Sequence, residues 1–389
     1  MSEAGVILQF GTSRFLQAHV DLFAEEARAA GQAVPPIVIV QTTRDPERAR
    51  RLAGFADPAG FPVILRGLRD GTRDERTIQV RSVREGLSAA DDWDRLVDLA
   101  VGAVTHIVSN TGDSGYAIPD EDRTVPAHGQ GSVSFCGMLT ELLHRRWQAG
   151  GAGVTLLPCE LVVRNGDVLR ATILGLARDQ GRKVAFLDWL ERECVWANTL
   201  VDRIVSEPLH PAGAVAEPYA LWAIERQSGL ALPFPHPDIV LTDDLERYER
   251  LKLHILNLGH SWLAARWHDG GGAADLTVRA ALADADTRAA LERVMAQDVL
   301  PGFAAHGMAE EARAYIATTL ERFANPFLDH RLSDIFQGHA AKIDKRVGGF
   351  IRWVDASGET VAMPELRALA THHAWGFPTA VQPERSRRL

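Results

Sequence analysis

Val6-Ile7-Leu8-Gln9-Phe10-Gly11-Thr12-Ser13-Arg14-Phe15 opens with five residues suited to a buried strand, turns at a glycine and continues into a helical pattern. Apolar residues at Phe15, Ala18, Leu22, Phe23 and Ala27 recur at helical spacing and predict an amphipathic helix from Arg14 to Ala30. A strand, a glycine turn and a helix in succession form the place where parallel α/β sheets cradle a phosphate on backbone N–H groups. The motif is incomplete, because Ser13 stands where a second glycine would be and Leu16 where a third would be. Taken alone, it also fits an ordinary strand-to-helix turn.

Outward from this stretch the same alternation continues. Ile37 to Val40 reads as a second strand, and Val63-Ile64-Leu65 and Ile78-Gln79-Val80 flank the turn Asp70-Gly71-Thr72 as a hairpin. A helix over 90–101 leads into a strand from Thr105 to Val108, which ends in Ser109-Asn110-Thr111-Gly112. A helix near 133–148, a strand at 154–158 and helices at 166–178 and 184–194 follow. The pattern predicts an α/β fold, a Rossmann-like doubly wound domain over 1–210. After Pro233-Phe234-Pro235-His236-Pro237 nearly everything reads as helix, at 244–267, 276–296, 309–323 and 326–346. Residues 211–389 are therefore expected to form a mostly helical substrate and catalytic domain.

Composition narrows the function classes. The 389 residues are 46% hydrophobic and 24% charged, the mix of a folded globular chain. Forty-two basic against fifty-one acidic residues leave a charge of −9, which argues against a nucleic-acid partner. No apolar run is long enough for a membrane span, and three scattered cysteines give no disulfide framework, so the expectation is a cytoplasmic chain acting on small molecules. Homo-oligomerisation is left open. Fourteen histidines lack ligand spacing, so no metal site is expected.

Ligands in open α/β sheets bind beyond the carboxyl ends of the strands, so the first and later strand ends should face one crevice. The candidate cofactor residues are Gly11, Thr12, Ser13, Arg14, Phe15, Gln41, Thr42, Arg44, Asn110 and Thr111. After the second strand, Gln41-Thr42-Thr43-Arg44-Asp45 places no acid directly where NAD's ribose hydroxyl would be held. Arg44 either meets the 2′-phosphate of NADP or is a solvated loop arginine.

The densest chemistry lies in Tyr248-Glu249-Arg250-Leu251-Lys252-Leu253-His254-Ile255-Leu256-Asn257-Leu258-Gly259-His260. At ~100° per residue, Lys252, Asn257 and His260 fall at about 0°, 140° and 80°, within one broad arc. A lysine of lowered pKa can exchange a hydroxyl proton while an amide and an imidazole hold the oxygen, which suits alcohol–carbonyl interconversion. Glu249, one turn earlier, either opposes that shift or serves as a proton exit. The structural alternative is a solvated Glu249–Lys252 pair with a core histidine. Tyr248-x-x-x-Lys252 mimics the catalytic pair of short-chain dehydrogenases, but it lies far too late relative to the glycine loop.

These residues resemble the polyol-specific long-chain dehydrogenases, the mannitol dehydrogenase family. The resemblance rests on Lys252-x4-Asn257-x2-His260, Gln9-Phe10-Gly11 through His19, Asn198-Thr199-Leu200-Val201-Asp202-Arg203-Ile204, Glu217-Pro218-Tyr219 and Arg322-Phe323-Ala324-Asn325-Pro326, in family order. Pro158-Cys159-Glu160-Leu161 with Asn165-Gly166-Asp167 is similar to the family's altronate/tagaturonate branch, since the mannitol branch carries an asparagine at the Leu161 position. The resemblance implies a metal-independent oxidoreductase using NAD, with NADP left open. It further implies Lys252 as general acid/base, Asn257 and His260 on the reacting oxygen, and a sugar acid or polyol as substrate. Departures are Ser13-Arg14 where the family has Gly-Asn, Gln17 where it has arginine, and a shorter C-terminal part, from which an altered substrate pocket is expected.

Asp202 and Glu249 are further substrate-side candidates, with a buried Asp202–Arg203 ion pair the structural alternative. Arg322, His330 and Lys342 are candidates for a sugar-acid carboxylate, because arginine offers a bidentate fork and lysine a point charge. Two rival functions remain at this level: a dinucleotide sensor with weak or no turnover, and a dehydrogenase of a neutral polyol such as mannitol or arabinitol.

Overall fold

In the computed structural model, residues 5–43, 46–112, 115–126 and 132–374 are described. Thirteen strands follow one another among them: β1 (Val6–Phe10), β2 (Ile37–Gln41), β3 (Phe61–Arg69), β4 (Thr72–Val80), β5 (Val83–Ser88), β6 (Val104–Ser109), β7 (Thr155–Pro158), β8 (Val195–Trp196), β9 (Thr199–Asp202), β10 (Val205–Pro208), β11 (Ala214–Ala216), β12 (Leu221–Glu225) and β13 (Ile239–Thr242). Six of them form one parallel sheet in the order β5-β2-β1-β6-β7-β8. β1 is buried along its whole length because both sheet faces are covered. Val6, Leu8 and Phe10 enter one apolar cluster and Ile7 the other, which is why the strand is apolar on both faces, with Gln9 its single polar residue, rather than alternating.

The strand order reverses direction between β1 and β6, one step left to β2 and one right to β6. That is the switch point at which the loops after the two strands diverge and leave a crevice. The predicted hairpin is present as β3 and β4, in a second sheet of order β10-β11-β3-β4.

The chain divides into two compact units, 1–66 with 73–246, and 67–72 with 247–389. Residues 211–246, expected with the helical half, group with the first unit. The reason is long-range pairing: β11 pairs with β3, and β12 lies between β9 and β13.

From Leu245 every helix or strand element among the described residues is helical, with a core around Ile255, Leu258, Leu291, Phe303, Val347 and Phe350. Two differences from the periodicity reading matter. The helix expected over 244–267 contains a π-helical turn at Lys252–Asn257, between helices Leu245–Leu251 and Leu258–Asp269. The helix expected over 326–346 is broken into Leu332–Phe336, His339–Ile343 and a π-turn at Asp344–Gly348. Asn325 caps the preceding turn by accepting from Phe327 N–H at 3.0 Å, and Gly338, at φ 65°, separates the two short helices. No helix among the described residues is long and apolar enough to cross a membrane.

Candidate active site

At the switch point of the first unit lies a crevice of about 410 Å³, lined by Gly11, Thr12, Ser13, Arg14, Gln41, Thr42, Asn110 and Thr111 among the residues singled out from the sequence. Gly11 is required there. Its φ is +118°, and a Cβ would lie 2.6 Å from the Asn110 carbonyl oxygen. Ser13, in place of a glycine, works as a helix cap: its Oγ accepts from Leu16 N–H and donates to Asn110 Oδ1, both at 3.3 Å. Gln17, in place of an arginine, is buried and holds the loop from behind, donating to the Thr12 carbonyl at 3.1 Å and accepting from Gly213 N–H at 2.5 Å.

Two expectations for this crevice end differently. Phe15 does not line it; its ring stacks on His19 with centroids 4.9 Å apart, because the amphipathic helix turns that position toward the core. Arg44 lies outside the described residues. Thr43, Arg51, Gly112 and Pro208 also line the crevice and were not picked out from the sequence. Arg51 sits on the helix after β2 and donates to the Thr12 carbonyl at 3.4 Å. The basic run Arg48-Ala49-Arg50-Arg51 was the available signal for it.

One buried carboxylate organises the far wall. Glu160 Oε1 accepts from Thr111 N–H at 3.1 Å and Thr111 Oγ1 at 3.0 Å, while Oε2 accepts from Ser109 Oγ and Tyr116 Oη, each at 3.0 Å. Four neutral donors thus serve this carboxylate, and no cation pairs with it among the described residues. Asn110 Nδ2 donates to the Cys159 carbonyl at 2.8 Å, so the β6 and β7 ends are tied to each other and, through Ser13, to the phosphate loop. The Cys159 thiol is buried and its pKa is raised well above the usual thiol value by desolvation, the state of a packing residue rather than a nucleophile.

Asp202 ends β9 with 4% exposure, and its neighbour Arg203 is a structural clamp. The Arg203 guanidinium donates to the backbone carbonyls of Ala18, Pro218 and Tyr219 and lies over the Phe23 ring. Leu161, next to Glu160, is 75% exposed.

In the helical unit, Lys252 opens the π-turn, Asn257 closes it and His260 follows in the next helix. A π-turn bonds residue i to i+5, so residues five apart stand roughly above one another instead of ~140° apart. Lys252 and Asn257 are five apart. The three side chains therefore occupy a narrower face than α-helical counting gives. His260 is buried, with its ring 4.4 Å from Phe323 and 4.9 Å, edge-on, from His330. Arg322 is buried and donates to Tyr315 Oη at 3.4 Å. Lys342 Nζ donates to the Ile335 carbonyl at 2.8 Å. Glu249 lies on the helix that leads into the π-turn. Arg346, not picked out from the sequence, donates from Nη1 to the Asn257 carbonyl at 3.2 Å and to Ser261 Oγ at 2.8 Å. It was hidden because the predicted single helix offered no reason to bring residue 346 to residue 257.

Two family models cover most of the chain: the mannitol dehydrogenase Rossmann domain matches residues 66–233 and the mannitol dehydrogenase C-terminal domain residues 244–370. The chain belongs to the mannitol dehydrogenase family. Among family members it is 29% identical to an altronate oxidoreductase of Halalkalibacterium halodurans, over 94% of this chain and 75% of that one. It is 28% identical to the altronate oxidoreductase of Bacillus subtilis, over 87% and 73%. In fold it is similar to a D-sorbitol dehydrogenase, with TM-score 0.75 and 20% identity over 92% of this chain and 80% of that one. It is also similar to the Pseudomonas fluorescens mannitol 2-dehydrogenase, solved as a ternary complex with NAD and D-mannitol, with TM-score 0.72 and 22% identity over 96% and 79%. The parallel-sheet domain followed by a helical domain is thus the architecture of the mannitol dehydrogenase family.

Proposed function

We propose that this chain is an NAD-dependent, metal-independent oxidoreductase that interconverts a secondary alcohol and a ketone on a linear sugar acid or polyol, with altronate the leading substrate. Family membership and the relatives named altronate oxidoreductase support the reaction class. The observation that carries the reading is the π-turn, which narrows Lys252, Asn257 and His260 to one face.

The crevice of the first unit fits a dinucleotide. Its glycine leaves room that a Cβ would fill, its lining is polar, and none of its described lining residues is a carboxylate that would repel a pyrophosphate. Gly11, Thr12, Ser13 and Arg14 would hold the pyrophosphate, and Gln41, Thr42 and Thr43 the adenosine ribose. When bound, the nicotinamide takes or returns the hydride. Lys252, as the neutral amine, accepts the hydroxyl proton during oxidation and returns it during reduction. Asn257 and His260 donate to the same oxygen and stabilise its developing charge. Glu249 passes the lysine's proton onward, Asp202 is assigned to the substrate side, and Arg322 to a sugar-acid carboxylate.

The test is turnover of altronate, mannonate, mannitol and arabinitol with NAD and NADP, alongside cofactor titrations. Lys252→Ala should lose about 10²–10⁴-fold in kcat with unchanged cofactor affinity, and Asn257→Ala and His260→Ala about 2–4 kcal/mol of transition-state stabilisation each. Near wild-type kcat in Lys252→Ala would overturn the assignment, and tight cofactor binding without turnover of any substrate would favour a sensor.

A further inference from the structure

Arg346 is a half-buried arginine whose two protein bonds both use Nη1. Nε and Nη2 have no protein partner, and no carboxylate pairs with this residue among the described residues. Lys342 precedes it by four residues and has a single bond, to the Ile335 carbonyl. His330 adds a third basic group whose buried Nδ1 makes no hydrogen bond. The three groups act on one another. Burial and the Arg346 charge hold Lys342 below the ordinary lysine range, and burial with Lys342 and Arg346 lowers His330, against the opposing pull of exposed Asp334. Like charges one turn apart and poorly hydrated are destabilising unless an anion joins them.

We infer that Arg346, Lys342 and His330 form a subsite for the carboxylate of the substrate. This deepens the dehydrogenase reading above and rests on it. The place of the cluster supports a group on the substrate itself rather than a separate anion. Arg346 is bonded to the backbone of Asn257 and the side chain of Ser261, on either side of His260, and the His330 ring packs against that of His260. The unused Nε and Nη2 of Arg346 have the fork geometry that takes a carboxylate through both oxygens, and Lys342 adds a point charge. The occupant is therefore an aldonate rather than a neutral alditol.

The experiment compares altronate with mannitol for the wild type, Arg346→Met, Arg346→Lys and Lys342→Gln. The wild type should prefer altronate. Arg346→Met and Lys342→Gln should each raise KM for altronate about 10- to 100-fold, the range for one lost charge-assisted hydrogen bond. The altronate-to-mannitol ratio of kcat/KM should fall in step, and Arg346→Lys should recover part of it. A folding or positioning defect would lower both substrates together and leave that ratio unmoved, which overturns the subsite. Lys342→Gln keeps the test open if Arg346→Met fails to fold, because Lys342 touches only one backbone carbonyl. A wild type that prefers mannitol also overturns the subsite while the dehydrogenase reading stands; one that oxidises neither removes both.

Discussion

The carboxylate of Glu160 shows how much one side chain can organise. Each oxygen accepts two hydrogen bonds, and three of the four donors belong to Ser109 and Thr111, at the end of β6. An amide can offer only its oxygen to those four, and a methyl group offers nothing. Glu160→Gln should therefore destabilise the first unit by about 1–2 kcal/mol and Glu160→Ala by about 2–4 kcal/mol. Cofactor affinity should weaken in the same order, because the network reaches Asn110 and Ser13 through the paired strand ends. Thermal unfolding and a dinucleotide titration would check this; unchanged affinity in Glu160→Ala would show that the strand end is held by other means. Glu160 was visible in the sequence only as part of a family-like Pro-Cys-Glu turn. Its four donors come from residues 109–116, some fifty positions earlier in the chain, and no local pattern announces such a meeting. Lys252, Asn257 and His260 were legible for the opposite reason, since all three lie within nine residues.

Elements were legible wherever their pattern is local. β1 and β2 are rich in β-branched and other apolar residues, β6 carries the apolar pair Ile107-Val108, and the turn after β1 shows its function in Gly11. Gly11→Ala should be among the most damaging small substitutions. Besides the strained φ, its Cβ would meet backbone rather than a flexible side-chain tip, so the loop must move. The expected outcome is a stability loss of about 1–3 kcal/mol with cofactor binding lost outright, read by calorimetry; binding at wild-type affinity would contradict this role for the turn. The π-turns were not legible. They depend on how a helix packs, and those at Lys252–Asn257, Met295–Val299 and Asp344–Gly348 lie in one region, where the first packs against the other two. The breaks before Leu332 and after Phe336 follow Pro326 and precede Gly338, two residues that interrupt a helix whatever the apolar spacing around them. The end of the first unit at 246 was hidden because β12 pairs with β9 and β13 across long sequence separations, whereas composition changes near 210.

At the scale of the whole molecule, acid sensitivity follows from buried imidazoles. Desolvation lowers His19 to about 3, and His144 and His254 to about 4. Native imidazoles then stay neutral while the unfolded chain takes up protons below about pH 6.5. Stability is therefore lost as pH falls from that value toward 4, by roughly 1–2 kcal/mol per histidine at pH 5. Asp21 works in the other direction: it is fully buried, and desolvation raises its pKa well above the ordinary aspartate value, which favours the neutral acid in the native state. That contribution is fully present below the ordinary aspartate range and is lost as pH rises through the raised value. Asp21→Asn should thus raise the urea midpoint at neutral pH and steepen the decline on acidification; an unchanged slope would show that Asp21 is ionised in the native state. Histidine burial and the Asp21 contribution both depend on the finished fold, so neither could be read from the chain. The π-turn at Lys252–Asn257 has a further consequence, in genetic terms. Loss of any one codon from 253–256 would restore an ordinary α-helical ladder with Asn257 four residues after Lys252, about 40° away, so the shared face is kept; loss of two would rotate Asn257 and His260 by about a further 100° about the helix axis. In a selection for activity, missense codons at partly exposed Leu253 and single in-frame deletions should survive where double deletions disappear, so this stretch can spare one codon and no more.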